Sequence, residues 1–312
     1  MIQKLKPFGY FLTAVSLIYL VRTFWGMRQL SFSLVVSPRL LLFIPTAAIL
    51  CASLIALDAY GWKLSLSFLK GSRIPYLKAF DVFARCNLAK YLPGNFMHFV
   101  GRNFLGSDFG TPVNIALSSL IEIALVLLAA SSLLLALSYQ KFFELVSTAA
   151  AHRQLVPLAA LGLAIAVYWL TKQEEWSHIK HLFSFKFFGI AAQIYSIYTV
   201  QLFTDGIILC LLLALLSPRQ LDGREQRAIL LASVFSWLGG FIVPGSPAGL
   251  GVREVILLQS LGPHFGQETT VLAAAAARVV NILGDIFSFG GSSILKKTNL
   301  GSDYDRGSAP HL

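Results

Sequence analysis

Two arginines, each nine residues after a proline that breaks a helix, are the clearest chemical signal in the sequence. Arg102 follows Pro93, and Arg253 follows Pro244. A glycine stands after each proline, at Gly94 and Gly245, and another stands within two residues before each arginine, at Gly101 and Gly251. Guanidinium groups bind phosphate or carboxylate in a forked geometry. The helix N-termini that follow such breaks expose N–H groups that favour an anion. The pattern predicts an anion-binding role for both segments.

The similarity of the two segments has more than one explanation. Interrupted segments at corresponding positions in two halves of a chain are typical of transporter binding sites. Short Pro-Gly pairs also end ordinary helices, so a chance match stays open beside a true internal repeat. Asn95 and His98 lie in the first interruption. Asn95 is a candidate for substrate binding there, whereas a lone histidine is more often a packing residue.

Ionisable residues within apolar segments form the second signal. Arg278, Asn281 and Asp285 are spaced i, i+3 and i+7, which puts them on one helical face. Each buried charge in a membrane costs at least about 2.5 kcal/mol, so it normally faces a partner or a cavity. The face is either a structural seam, with Arg278 paired to an acidic residue, or a cavity lining that binds an anionic head group. Glu122 and Asp205 are predicted to join this network, as partners of arginines or as proton-coupled sites.

Glu254 follows Arg253 directly and has two interpretations. It is either an acidic residue at a helix start, beside an arginine that extends toward the membrane surface, or a member of the binding site. Glu254 is also one of the candidates to pair with Arg278.

The composition determines the class of protein. Of 312 residues, 56% are hydrophobic and only 13% charged, against about 25% charged residues in soluble proteins. The mean hydropathy is +0.69. These values exclude a soluble enzyme and a disordered chain and predict an all-α integral membrane protein. The net charge of +10 arises mainly between apolar runs, where basic residues set membrane orientation, so we predict no nucleic-acid partner.

Apolar segments long enough to approach a membrane span define the predicted elements. Seven are clear: Pro7–Val21, Leu40–Leu57, Pro112–Leu137, Gln154–Thr171, Phe188–Leu216, Ala228–Val243 and Thr270–Leu295. Asp58 directly follows the second of them. Two further segments, residues 80–105 and 244–261, carry too much Pro and Gly for plain spanning helices and are predicted to be broken or re-entrant.

The basic residues between these segments predict the topology. If residues 80–105 cross the membrane and residues 244–261 re-enter, the chain crosses eight times with both termini cytoplasmic, and basic residues concentrate on the cytoplasmic side. If residues 80–105 do not cross, that bias disappears. Residues 1–297 are predicted to form a single polytopic domain, and residues 298–312 a polar, disordered tail.

The sequence lacks the usual catalytic motifs. It contains no nucleophile elbow, no phosphate-binding glycine loop, no dinucleotide fingerprint and no metal-ligand spacing. No cofactor, metal or catalytic residue is therefore predicted, and an enzyme is the less favoured class.

Two stretches resemble a known family. Residues 89–94 with Gly101 and Arg102, and residues 243–254, resemble the membrane domain of the lysylphosphatidylglycerol synthase/flippase family. That family includes stand-alone proteins of about this length, and the resemblance covers nearly the whole chain. It implies an all-helical flippase-like domain that, in two-domain members, moves an aminoacylated phospholipid between leaflets. It also implies a translocation path lined by Pro93, Gly94, Arg102, Pro244, Gly245, Gly249, Gly251, Arg253 and Glu254.

The expected function is therefore that of a lipid transporter in a prokaryotic plasma membrane. Arg102, Arg253 and Arg278 would hold an anionic or phosphate-bearing head group. The sequence shows no counterpart of the family's aminoacyl-transfer domain, which leaves phospholipid, glycolipid and polyprenyl-phosphate lipids as substrates. Two alternatives stay open: an integral-membrane lipid or glycosyl transferase with Glu254 as acid or base, and a non-catalytic membrane partner of a separate lipid-modifying synthase.

Overall fold

The protein is helical throughout the part that the structure describes. This computed structural model describes residues 38–92, 96–138, 184–217, 220–243 and 247–299, of which 89% are helical and none lies in a strand. Eight α-helices occupy these ranges: α1 Pro38–Lys70, α2 Tyr76–Asn87, α3 Met97–Leu105, α4 Pro112–Leu137, α5 Phe185–Leu216, α6 Gly223–Ile242, α7 Val252–Phe265 and α8 Gln267–Asn299. The predicted all-α class is confirmed.

Four of the described helices are long and apolar enough to cross a membrane: α1, α4, α5 and α8 as far as Leu295. They support a multi-pass membrane protein, but they do not confirm eight spans. The predicted segments Pro7–Val21 and Gln154–Thr171 lie outside the described residues. The predicted segment Ala228–Val243 falls mostly in α6, which has charged residues in its first turns and is not among the four.

The outer surfaces of the spanning helices are apolar. Only 22% of the most apolar part of α4 is buried inside the protein. Leu42 on α1, Leu120 on α4 and Val200 on α5 are more than half exposed. Helices that are apolar on all sides are typical of contact with lipid.

Helix α8 lies at the centre of the described bundle. It packs against α1, α2, α5 and α7, and its spanning part is 61% buried. Gly284 allows α8 and α1 to approach closely, because a Cβ atom there would lie 2.7 Å from Cys51 Cβ and 3.2 Å from the Ala48 carbonyl oxygen. Arg278, Asp285 and Ser288 in the middle of α8 are buried among the other helices.

Local capping explains several helix starts. The Thr111 hydroxyl accepts a hydrogen bond from Asn114 N–H at 3.2 Å, and Pro112 stands at the first position of α4. Asp222 and Glu225 form a reciprocal capping box at the start of α6. The predicted domain boundary at residue 297 falls within the last turn of α8, so Thr298 and Asn299 are helical and not part of a disordered tail; the rest of the predicted tail lies outside the described residues.

Both segments predicted to be broken contain separate helical pieces. In the first, α2 ends at Asn87, a 3₁₀ turn covers Leu88–Tyr91, and α3 begins at Met97. In the second, α6 ends at Ile242, a 3₁₀ turn covers Pro247–Gly249, and α7 begins at Val252.

The two 3₁₀ turns are far apart in sequence but pack against each other beside α8. Leu88 and Tyr91 from the first turn and Ala248 from the second form a buried cluster with Ile282 of α8. The two interruptions therefore meet inside the bundle. That the halves are true repeats stays a prediction.

Candidate functional site

A polar cleft lies between α5, α6, α7 and α8. Its volume is about 550 Å³, including the part open to the outside. Asp205 of α5, Arg253 and Glu254 of α7, and Arg278 and Asn281 of α8 line it, together with serine and apolar residues. We call this space the arginine cavity. Five of the residues that the sequence singled out thus share one lining.

Arg278 and Glu254 form an ion pair that joins α8 to the start of α7. Glu254 Oε1 accepts hydrogen bonds from Arg278 Nη2 at 2.6 Å and Nε at 3.1 Å. Arg278 Nη1 donates to the Ala248 carbonyl at 2.8 Å, and Glu254 Oε2 accepts from Gly251 N–H at 2.7 Å. All three nitrogens of the Arg278 guanidinium are engaged. Of the pairings left open by the sequence, the structure contains the one with Glu254.

Arg253 has a different environment. Its side chain crosses the place where α6 and the second 3₁₀ turn approach each other, because Cβ atoms on Gly240 and Gly249 would lie 2.9 Å and 2.8 Å from Arg253 Nε. That Nε is buried and has no hydrogen-bond partner among the described residues. A guanidinium group stays protonated in proteins. Arg253 therefore brings a positive charge to the lining of the arginine cavity, while its Nε lies between α6 and the second 3₁₀ turn without a hydrogen-bond partner among the described residues.

A second cavity of about 370 Å³ lies between α1, α5, α8 and the first 3₁₀ turn. Three carboxylates line it, Asp58, Asp205 and Asp285, with Lys90 and the amides Asn87, Gln201 and Asn281. We call this space the aspartate cavity. Asp205 and Asn281 belong to the linings of both cavities, so the two spaces adjoin at these side chains.

Asp285 is the best-satisfied acid of the aspartate cavity. Its Oδ1 accepts hydrogen bonds from Asn87 Nδ2 at 2.8 Å and from Lys90 Nζ at 2.9 Å, and its Oδ2 accepts one from the Tyr91 hydroxyl. All three donors come from α2 and the turn after it. Asp285 therefore ties the first interruption to α8, as Arg278 ties the second.

Arg102 lies apart from this arrangement. It is 1% exposed and forms an ion pair with Glu122, in which Nη2 donates to Oε1 at 3.2 Å and Nη1 donates to Oε2. Its guanidinium carbon lies 4.1 Å from the centre of the Phe83 ring and 5.1 Å from that of Phe99. Arg102 and Glu122 line neither cavity. The structure thus does not bring the two predicted arginines together in one cavity.

The remaining predicted site residues fall into two groups. Gly249 packs against Arg253, and Gly251 caps α7. Five others lie outside the described residues: Pro93, Gly94, Asn95, Pro244 and Gly245.

Sequence reasoning missed several residues of the aspartate cavity. Asp58 directly follows an apolar segment, a position typical of the polar end of a membrane span, yet α1 continues to Lys70. The pattern of Ala59, Trp62 and Leu66 beyond it, all buried, was the signal that the helix goes on. Gln201 and Asn87 are uncharged and carry no comparable signal.

In the described ranges, no group of three or more His, Cys, Asp or Glu residues is arranged to hold a metal ion. The two cavities therefore present ion pairs, amide side chains and the guanidinium of Arg253. No protein-family model, curated protein or solved structure matches the chain, so its family and function are proposals drawn from these residues.

Proposed function

We propose that the chain is a lipid transporter, a flippase or facilitator that moves a lipid with an anionic or phosphate-bearing head group between membrane leaflets. We further propose that it is of the lysylphosphatidylglycerol synthase/flippase membrane-domain type. The observation that carries the proposal is Arg253, a charged group with a buried and unused donor in a polar cavity among apolar helices.

The composition of the arginine cavity favours a head group over a whole lipid. Its lining combines charged and polar side chains, whereas lipid tails are apolar. The outer faces of α1, α4 and α5 are apolar, so acyl or prenyl tails can stay in the bilayer while the polar end enters the cavity. Phospholipid, glycolipid and polyprenyl-phosphate lipids all have a polar head group and apolar tails that could be separated in this way.

The residues around Arg253 have a positioning role. The Arg278–Glu254 pair fixes the start of α7, on which Arg253 stands in the first turn. Because each nitrogen of Arg278 already donates to Glu254 or to the Ala248 carbonyl, whereas Arg253 Nε has no such partner among the described residues, we assign the head group mainly to Arg253. Asp205, in the same lining, would compensate the charge of Arg253 when the cavity is empty.

The proposal extends to the setting of the protein. We propose the plasma membrane of a prokaryote, on the family resemblance, and cytoplasmic termini, on the distribution of basic residues. We propose a separate lipid-modifying synthase as the supplier of the substrate.

Replacing Arg253 with Gln should slow transport of an anionic lipid about ten- to a hundredfold. The change removes a charge-assisted hydrogen bond worth about 1.5–3 kcal/mol and keeps a shorter polar side chain that ends near the position of Arg253 Nε. Transport is measured in liposomes containing the purified protein, from the bleaching of fluorescent phosphatidylglycerol by an impermeant reductant. Fluorescent phosphatidylcholine in parallel liposomes reports the preference for an anionic head group.

Arg224→Gln is the matched control, because Arg224 is an exposed arginine at the start of α6 and should leave transport unchanged. The wild-type protein should move phosphatidylglycerol faster than phosphatidylcholine. Folded Arg253→Gln protein that transports at the wild-type rate would remove Arg253 from the site. Wild-type protein that accelerates neither lipid over empty liposomes would contradict the transporter proposal.

A further inference from the structure

Asp58 stands in the interior of α1 and lines the aspartate cavity. Asp58 is only 5% exposed, and its Oδ1 atom is buried without a hydrogen-bond partner among the described residues. Buried carboxylates in proteins are normally paired or hydrogen-bonded, because an isolated buried charge is very costly. Asp58 departs from that rule.

The neighbouring acids show what a structural role looks like in this bundle. Glu122 pairs with Arg102, Glu254 with Arg278, and Asp285 with Lys90 and two further donors. No comparable partner for Asp58 exists in the described part of the chain. A carboxylate left in this way becomes neutral most readily by binding a proton, and intramembrane acids in cavities are typical of proton pathways.

We infer that Asp58 takes up and releases one proton through the aspartate cavity, and that this proton drives the proposed lipid transport. In the uptake step, a carboxylate oxygen of Asp58 forms an O–H bond with a proton from cavity water, and the carboxylate becomes a carboxylic acid. Release reverses the step, and neither direction needs another reactant. The coupling rests on the proposed function, whereas proton binding by Asp58 does not.

The charged groups around Asp58 leave its charge uncompensated. Lys90 from the first 3₁₀ turn and Arg102 from α3 are the nearby cations, and Asp285 and Glu122 already bind them. The other titratable groups that face Asp58 are Glu122 of α4, Asp205 and Tyr198 of α5, and Asp285 of α8.

Asp205 provides the link between the proton and the lipid. It lines the aspartate cavity together with Asp58 and the arginine cavity together with Arg253. A proton on Asp58 removes one negative charge from the aspartate cavity, which Asp205 also lines. A change in proton occupancy is therefore transmitted electrostatically to the space where the head group would bind.

Proton binding is tested without any lipid substrate. Infrared difference spectra of the purified protein between acidic and neutral pH should contain a C=O band of a protonated carboxyl group that disappears in Asp58→Asn. Glu268→Gln, which removes an exposed carboxyl group at the start of α8, should leave that band in place. Asn is nearly isosteric with Asp and cheaper to bury, so the variant should fold. A band that persists in folded Asp58→Asn protein would overturn the inference.

Coupling is tested in liposomes with an imposed pH gradient. With one proton moved per lipid, a gradient of one pH unit can sustain about a tenfold ratio of lipid between the leaflets. Wild-type protein and Glu268→Gln should respond to the gradient, and Asp58→Asn should not respond whatever its absolute rate. A response to a sodium gradient in place of the pH gradient would overturn the proton as the coupling ion. If the wild-type protein transported no lipid, both the proposed function and the coupling would be wrong. Proton binding by Asp58 would still be tested independently by the infrared band.

Discussion

Replacing Arg102 with Met should lower the free energy of unfolding by about 3–5 kcal/mol, and replacing Glu122 with Met as well should recover most of that loss. Breaking one side of a buried ion pair leaves an uncompensated charge, whereas replacing both partners by apolar residues of similar volume is often neutral. Arg102 is 1% exposed and surrounded by Glu122 and aromatic rings, so the uncompensated Glu122 could not reach water.

The measurement is a double-mutant cycle on the purified protein in detergent, using reversible denaturant unfolding of the wild type, Arg102→Met, Glu122→Met and the double variant. The control is Arg224→Met at the exposed start of α6. It should cost much less, because solvent screens the interactions of exposed charges. A double variant that unfolds as easily as Arg102→Met would show that Arg102 has another essential partner.

The same variants separate two roles for Arg102. From the sequence, we predicted that it holds a head group, whereas the structure surrounds it with Glu122, Phe83 and Phe99. We expect the double variant to transport lipid at close to the wild-type rate. A folded double variant without transport would restore the head-group role.

The features that follow from composition and helix-breaking residues could be predicted from the sequence. Scarcity of charge predicted the all-α class, and Pro and Gly predicted the two interruptions that the structure contains. The spacing of Arg278, Asn281 and Asp285 predicted a shared face, and all three contribute to the two cavities. These features are local, because they depend on the period of one helix or on residues that cannot continue it.

The features that depend on which helices meet could not be predicted. Equal spacing after the breaks made Arg102 and Arg253 look equivalent, but α4 supplies Glu122 to Arg102, whereas Gly240 and Gly249 surround Arg253. Asp58 looked like the end of a span because charge usually marks that end. Asp58 instead lies inside the bundle, in a cavity that α5 and α8 form together with α1, and the sequence of α1 does not specify these neighbours.

An ion pair follows each of the two interruptions and joins a short helix to the long helix after it. After the first break, Arg102 on the short helix α3 binds Glu122 on the long helix α4. After the second, Glu254 on the short helix α7 binds Arg278 on the long helix α8. In both cases a short helix forms an ion pair with the long helix after it, but the arginine is on the short helix in the first case and on the long helix in the second. A shared mechanical role for the two short helices is therefore better supported than a shared anion site.

Replacing Gly249 with Ala should be the most damaging small change near Arg253, because it combines two separate penalties. Gly249 has a φ of +73°, and a Cβ atom there would lie 2.8 Å from Arg253 Nε and 2.9 Å from Gly240 Cα. The left-handed conformation costs an alanine about 1–2 kcal/mol, and overpacking adds about 1–3 kcal/mol. We expect a lower free energy of unfolding, and we expect lipid transport to fall because the Arg253 side chain must move.

Two further glycines separate these penalties. Gly251 has a φ of +84°, but a Cβ atom there would meet nothing within 4 Å, so Gly251→Ala should show the conformational penalty alone. Gly240 lies within α6 without a positive φ, and its Cβ would lie 2.7 Å from Arg253 Cγ, so Gly240→Ala should show the steric penalty alone. Transport should therefore fall in the Gly240 and Gly249 variants and persist in the Gly251 variant. If Gly251→Ala abolished transport and Gly240→Ala preserved it, transport would depend on the left-handed turn before α7 and not on the position of the Arg253 side chain. That result would contradict the proposal that Arg253 binds the head group.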